Sequence, residues 1–573
     1  MFSSSKLIRI LLTVSVLLTM LVPSFASAAT QERPAIPVPK SKIQSYVEAM
    51  QPGWNLGNTF DATGADETSW GNPRVTKQLI KHIASQGYNS IRIPITWDQR
   101  MGEAPDYMIE PAFLDRVEEV VNWSLDAGLY VMINLHHDSW LWVNRMGTEH
   151  DAVLARYNAA WKQIAERFKN YSKKLSFESI NEPRFTDGWG ESGEAHFAML
   201  QELNASFHEI VRTSGGNNSE RPLVLPTLET NANQDRLDAL VDTFDALDDP
   251  NLIATVHYYG FWPFSVNIAG FTRFNEETKN DIVQTFDRVY NTLVSKGIPV
   301  ILGEYGLLGF DKNTGTIEQG EKLKFFEFLL HYIQERGITH MLWDNGQHLD
   351  RNALQWNDPR LYGMLKASWK GRSAAAESDL IYLTKGTEVQ DAVIRLELNG
   401  NRLTALRHDG RPLRKGSDYS LEGELLTVKA GLLSRLTASG AYGENAEITA
   451  DFNKGEDWTF DVIVYDTPVL QNAAGTTNEF SIPTAFNGDR LATMEAVYAA
   501  GGNAGPQNWT SFKEFAYVFS PSYDTNGIEL TENFFNEVND GEVVLTFHFW
   551  SGKTVEYRIT KNGNAIVGFA AEL

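Results

Sequence analysis

Between residues 51 and 369, short apolar runs alternate with longer stretches whose apolar residues recur at helical spacing, and this alternation constrains the fold more than any other feature. The apolar runs fall at residues 53–58, 90–94, 130–136, 175–181, 223–228, 252–259, 299–304 and 338–343. The stretches between them, such as 112–127, 153–169 and 321–336, are amphipathic. A strand–helix repeat calls for parallel strands, because each helix carries the chain back to the same edge of the sheet. Eight units in about 320 residues predict an α/β fold, a closed (β/α)8 TIM barrel.

The pattern changes after Trp369. A small-residue joint, Arg372-Ser373-Ala374-Ala375-Ala376, ends the helical periodicity. Residues 377–468 carry short alternating runs at 393–398, 425–428, 448–452 and 458–464, separated by Asn-Gly and Asp-Gly turns, and predict a small antiparallel β-sandwich. A second polar joint at 471–477 leads into residues 470–573, again all-β, with runs at 514–519, 543–550 and 554–560. The barrel is thus expected to be followed by two all-β sandwich domains.

At the other end, Lys6 and Arg9 precede an apolar core at 10–22 and a small-residue site, Ala26-Ser27-Ala28. Residues 1–28 read as a signal peptide, since the core is too short for a membrane span, and residues 29–372 remain for the barrel domain. The expected product is a secreted, extracellular monomer with no membrane partner. No cysteine is present, so neither disulfides nor a thiolate metal site are available. A formal net charge of −23 argues against nucleic acid and anionic membrane surfaces, whose phosphates need clustered Lys and Arg.

In a barrel of this type the C-terminal strand ends gather at one mouth. There the sequence places Arg92, His136, Asn181 with Glu182, His257 with Tyr259, Glu304 and Trp343. One polar strand end means little; a mouth lined with them points to chemistry. Two carboxyl groups among such neighbours suit glycosidic bond cleavage, where one protonates the leaving oxygen and the other attacks C1 or activates a water. Beside His136-His137-Asp138 there is no second cluster at metal-ligand spacing, so neither metal nor cofactor is expected.

These pieces resemble glycoside hydrolase family 5, the cellulase family. The resemblance is carried by Gly53-Trp54-Asn55-Leu56-Gly57-Asn58, Ile91-Arg92-Ile93-Pro94, Asn134-Leu135-His136-His137-Asp138, Ser179-Ile180-Asn181-Glu182-Pro183, His257-Tyr258-Tyr259 and Gly303-Glu304-Tyr305-Gly306. It implies a retaining mechanism with Glu182 as acid/base and Glu304 as nucleophile. It further implies that Arg92 keeps Glu304 ionised, Tyr259 orients it, His257 tunes Glu182, and Asn181 binds the sugar 2-hydroxyl. His136 and His137 would line the same subsite, with Asn58 in support and Trp343 as a stacking floor. Trp97, Trp140, Trp142, Trp189 and Trp262 fall in or near loops after strands, where each could serve as a sugar platform or pack its loop. The implied activity is endo-β-1,4-glucanase on a β-glucan polysaccharide: cellulose, mixed-linkage glucan or xyloglucan. A mannanase or xylanase of the same fold, and a non-catalytic polysaccharide binder, are the alternatives.

Residues 377–468 resemble the immunoglobulin-like module found beside cellulase domains, through Leu398-Asn399-Gly400, Gly416-Ser417-Asp418-Tyr419 and Phe452-Asn453-Lys454-Gly455, which implies a spacer. Residues 470–573 resemble carbohydrate-binding module family 46. Along 543–550, Val543, Leu545, Phe547 and Phe549 share one strand face and read as core. Trp550 then falls on the outer face or rim, either as a sugar platform or packed beneath a loop such as that around Trp509.

Overall fold

In the computed structural model, which describes residues 40–570, eight strands pair in chain order and in parallel, and the first closes on the last. They are β1 (Gly53–Asn55), β2 (Ser90–Ile93), β3 (Tyr130–Asn134), β4 (Leu175–Glu178), β5 (Leu223–Pro226), β6 (Leu252–Tyr258), β7 (Val300–Tyr305) and β8 (Thr339–Leu342). Closure is made by Gly53 opposite both Ser90 and Met341. A Cβ on Gly53 would come within 2.6 Å of Ser90 Oγ, so only glycine lets the strands approach here. The leader read at residues 1–28 lies outside the described residues.

Several strands stop one to three residues before the apolar runs do. Leu56–Asn58, Leu135–His136 and Ser179–Asn181 leave the ladder and turn over the barrel mouth, which is how their side chains reach the site. Each strand is followed by a helix whose apolar stripe covers it, for example Met146–Phe168 after β3 and Glu194–Thr213 after β4. Between those two helices, Trp161 packs on both Phe177 and Phe207.

The barrel interior changes character along its axis. Its floor is apolar: Met132, Val224, Ile253, Ile301 and Met341 meet Ile43 and Val47 of a plug helix, Lys42–Ala49, and its C-cap Met50. That helix begins with a reciprocal cap between Ser41 and Gln44 and is pinned by Thr339 Oγ1, which donates to Val47 O at 2.8 Å. Above the floor the inward positions become Asn55, Arg92, Asn134 and Glu178, all buried and polar.

The middle module stacks a four-stranded sheet (including Ala392–Glu397 and Leu425–Val428) on a five-stranded one (including Gly443–Phe452 and Trp458–Tyr465). It is not wholly antiparallel, because Leu380–Thr384 runs parallel to Trp458–Tyr465. That strand enters directly from the joint and crosses the module, so no hairpin constrains its direction. The apolar core of the barrel continues unbroken into this module through Ala375, Ala376 and Leu396 to Trp458 and Phe460.

The third module is an antiparallel sandwich with its own core, built around Met494, Phe519, Phe534, Leu545 and Phe547. The run at 514–519 is mostly a turn, closed by Val518 N donating to Glu514 O at 3.0 Å, and the strand there is Phe519–Ser522. Phe515 and Val518 are buried all the same, which is what made the run look like a strand. The module meets the barrel at Asn267 (φ 51°), whose Nδ2 donates to Ala492 O at 2.9 Å and whose carbonyl accepts from Phe515 N.

Candidate active site

The polar layer converges on Arg92, which is fully buried and therefore must be neutralised. Its Nε donates to Glu178 Oε2 at 2.8 Å, Nη1 to Glu304 Oε1 at 2.6 Å and to Asn55 Oδ1 at 3.1 Å, and Nη2 to Asn181 Oδ1 at 2.7 Å. One guanidinium thus orders residues from β1, β2, β4 and β7. Burial disfavours its charge, but Glu178 and Glu304 more than compensate and raise its pKa further.

Glu304 receives a second donor: Tyr259 Oη bonds its Oε2 at 2.6 Å. Burial works against ionisation of Glu304, yet His257, Arg92 and Tyr259 outweigh it and hold its carboxyl below the ordinary range. Burial, Glu304, Asp311 and Glu182 push the Tyr259 phenol well above its usual value, so it stays a donor. His257 Nδ1 lies 2.9 Å from Glu182 Oε1 and 3.6 Å from Glu304 Oε2. Carboxylate oxygens of Glu182 and Glu304 come within 4.8 Å of each other. Glu182 itself has φ 40°, a conformation that costs a non-glycine residue about 1–3 kcal/mol. The turn after β4 holds it there with the side chain partly open to the cleft.

The tautomer of His136 follows from its neighbours. Asn134 Oδ1 accepts Ile95 N, so its Nδ2 faces His136 Nδ1 at 3.1 Å and Glu178 Oε2 at 2.8 Å. His136 Nδ1 is therefore an acceptor and its proton sits on Nε2, 4.0 Å from Glu304 Oε1. Burial, helped by His137, Arg92 and His257, drives its pKa well down, so the ring is a neutral donor. Trp343 stacks on it nearly parallel (3° between planes), and Gly57 fits against Trp343 where a Cβ would lie 2.8 Å from the ring.

A cavity of about 680 Å³ opens above these groups, and His136, His137, Asn181, Glu182, His257, Tyr259, Glu304 and Trp343 all line it. Two indoles stand at its edges: Trp189 (58% exposed, with the Arg184 guanidinium 4.4 Å above its ring) and Trp262 (43%). Trp97 and Trp142 are buried and bond Asn134 O and Asp138 Oδ1, so they pack their loops. Trp140 donates to His137 Nδ1 at 2.9 Å.

One supporting assignment needs correcting. Asn58 does not line the cavity; it is a left-handed turn residue (φ 53°) whose amide bonds Asp61 and whose carbonyl accepts from Asn72. Trp550, open in the sequence between platform and packing, packs against the barrel while also lining a cavity with Asn267, Arg490 and Tyr523. It lies just past the strand Gly541–Phe549, half-buried, with the Arg273 guanidinium of the barrel 5.0 Å over its ring. Trp509 takes the exposed position instead (58%), 6.3 Å from Trp262. Glu178, Glu229 and Asp311 went unread in the sequence. Glu229, after β5 with φ 56°, joins Arg236 (2.6 Å) to Gly190 N (2.8 Å) and so anchors the Trp189 loop. A Glu inside an apolar strand at an inward position, as Glu178 is, was the available signal.

Among the described residues three groups cluster like metal ligands: Asp61 with His136 and His137, Glu182 with His257 and Glu304, and Glu444 with Glu447 and Asp461. Each has other bonds to account for it. His137 accepts at Nδ1, so its Nε2 carries the proton and faces Asp61 at 3.6 Å. The third group is ion-paired to Arg360 and Arg490.

Residues 55–349 match the family described as cellulase (glycosyl hydrolase family 5). The chain belongs to glycosyl hydrolase family 5. In this family-5 enzyme, residues 376–462 match carbohydrate binding domain X2 and residues 466–569 match a further carbohydrate binding domain, CBM46. The chain is 60% identical to endoglucanase B of Paenibacillus lautus, over 99% of each chain. It is also similar to the full-length tri-modular endo-β-1,4-glucanase B from Bacillus halodurans (62% identity, TM-score 0.92, covering 93% of this chain and all of that one). A tri-modular family-5, subfamily 4 endo-β-1,4-glucanase from Bacillus licheniformis complexed with cellotetraose matches at 32% identity and TM-score 0.79, over 92% of this chain and 99% of that one.

Proposed function

We propose that this family-5 hydrolase is a secreted, retaining endo-β-1,4-glucanase with Glu304 as nucleophile and Glu182 as acid/base. The observation that carries the reading is the pair of carboxyl groups bridged by His257, with oxygens within 4.8 Å of each other and Glu304 held ionised by Arg92 and Tyr259. Retaining pairs stand about 5–5.5 Å apart, too close to admit the water an inverting enzyme needs between them. Solved relatives named endo-β-1,4-glucanase support the linkage.

In the first step Glu304 attacks C1, the C1–O bond breaks, and the proton of Glu182 passes to the departing oxygen. In the second, water attacks C1, gives its proton to Glu182, and releases Glu304 as carboxylate. Asn181, its Oδ1 fixed by Arg92, turns its amide to the 2-hydroxyl, while neutral His136 donates from Nε2 over the Trp343 floor. The cleft continues past the barrel, because Trp262 and Trp509 together extend its apolar edge, and we assign both to the path of the glucan chain. Strand ends support domain boundaries near 372–377 and 468–470. The substrate reading remains a β-glucan, of the cellulose, mixed-linkage or xyloglucan type.

Proton NMR of early product tests the mechanism: the β-anomer should appear first, and activity should survive EDTA. Glu304→Ala should be inactive and regain cleavage with azide, giving an α-glycosyl azide. An α-anomer first, or a β-azide product, would sink the assignment. Product analysis on cellulose, xyloglucan, mixed-linkage glucan, mannan and xylan fixes the substrate.

A further inference from the structure

Besides Glu182 and Glu304 the cleft is lined by two carboxyl groups that double displacement leaves unused, Glu229, which is tied to Arg236, and Asp311. Asp311, in the short helix Leu308–Lys312 after β7, lines the cavity together with Leu308, Glu304 and Trp343. Its Oδ1 accepts from Gln347 Nε2 and lies above Gly306, where a Cβ position would be 3.6 Å from that oxygen and 3.3 Å from the Tyr259 ring. Gln347 is held in turn, because its Oε1 accepts Asn345 N at 3.0 Å and Asn345 Nδ2 donates to the Asp311 carbonyl at 3.1 Å. The loops after β7 and β8 are thereby stitched together around one carboxyl. Its other oxygen takes no hydrogen bond from the described residues, and the residue is partly open to the cleft.

We propose that Asp311 is a specificity-determining residue whose open oxygen hydrogen-bonds a hydroxyl of the glucosyl unit bound beside Glu304 and Trp343. The proposal rests on the glucanase reading above. The charges around Asp311 favour a donor: burial, Asp344 after β8 and Glu304 on β7 push its pKa well above the carboxylate range, against weaker opposition from Gln347 and Lys312. Tyr259, after β6, also keeps its proton. A neutral O–H left without an acceptor once substrate displaces water would weaken binding, whereas a sugar hydroxyl satisfies it. Mechanically, a cleft that already contains the ionised nucleophile gains a donor there without adding a second negative charge.

A purely mechanical role, tying the two loops through Gln347, is the rival explanation, and three variants of the full-length enzyme separate the two. Asp311→Asn keeps an acceptor for Gln347 and offers N–H in place of O–H. Asp311→Ala keeps neither, and Gln347→Ala removes the tie alone. Each is assayed for kcat and KM on an aryl cello-oligosaccharide from acid to alkaline pH, with melting temperature measured in parallel. Asp311→Asn and Gln347→Ala should stay within about threefold of wild-type kcat/KM at acid pH, while Asp311→Ala should lose about tenfold, chiefly through KM. Wild-type KM should rise at high pH, where Asp311 ionises beside Glu304, and that rise should be absent in Asp311→Asn. If Asp311→Ala stays within about twofold of wild type, or Gln347→Ala reproduces its loss, the proposal is overturned and Asp311 is a loop tie. Wild-type enzyme that cleaves no β-glucan would take the glucanase reading down first, and this proposal with it.

Discussion

Arg92 divides its charge between two carboxylates, Glu178 and Glu304, and that division bears on the ionisation of Glu304, the proposed nucleophile. Glu178 is fully buried, its Oε2 accepts both Arg92 and Asn134, and its Oε1 has no hydrogen-bond partner. In Glu178→Gln the guanidinium has Glu304 as its remaining anionic partner and stabilises that carboxylate more strongly. Glu304 then ionises at lower pH, so the acid limb of kcat/KM should move down by up to about one unit, with kcat falling severalfold as the nucleophile becomes less basic. An unmoved acid limb, measured alongside an unchanged melting temperature, would mean that Glu178 does not share this charge. At this scale the sequence was legible wherever a functional residue ends a strand. Glu178 escaped because the apolar run reads through to residue 181, which puts it inside the run, whereas the strand itself ends at Glu178. Asn58 was overread because a motif neighbour of Trp54 and Asn55 need not face the cleft, and here the asparagine serves a left-handed turn.

For whole elements, the alternation of apolar runs with amphipathic stretches located all eight barrel strands, because a parallel strand buried on both faces is mostly apolar. The same logic placed Val543, Leu545, Phe547 and Phe549 in the core of the third module, and all four are buried. It left Trp550 open between platform and packing because the strand ends at Phe549, and past that point period two no longer says where a side chain goes. Two substitutions should therefore behave in opposite ways. Trp550→Ala removes an aromatic from beneath Arg273 and should destabilise by about 1–3 kcal/mol, seen as a lower calorimetric transition of the third module. Trp509→Ala should leave that transition unchanged, because its ring is mostly exposed, and should reduce hydrolysis of polymeric glucan more than of a short aryl oligosaccharide. Equal thermal loss in both would put Trp509 in the packing as well.

Across the whole molecule, acids from different modules meet at one joint. Glu318 caps the barrel helix Gln319–Glu335 by accepting Glu321 N, and Asp379 lies on the middle module so near that a Cβ on Gly320 would be 2.6 Å from its Oδ1. Burial and then Glu321 raise the pKa of Glu318; burial and then Glu318 raise that of Asp379 well above its usual value. Folding therefore takes up protons at this joint. Stability contributed here is greatest in acid, below the unfolded carboxyl pKa, and declines as pH rises through the raised folded values. The melting temperature should fall between mildly acidic and neutral pH, and Glu318→Gln should flatten that slope; an identical slope in the variant would place the titration elsewhere. No local pattern could have revealed this joint, since its members lie 61 positions apart in the chain and come together only through tertiary packing.

The contact between Trp262 and Trp509 bears on how such an enzyme can be dissected. The customary question of what a binding module contributes is answered by deleting it and weighing the loss of adhesion. Here the same cut would also strip the indole that stands against Trp262 at the cavity edge, so on the proposed glucan path the shortened protein is in effect a site mutant. Adhesion and catalysis have to be separated by point changes at that pair, and the two modules can be expected to drift in evolution as one coupled surface rather than as interchangeable parts.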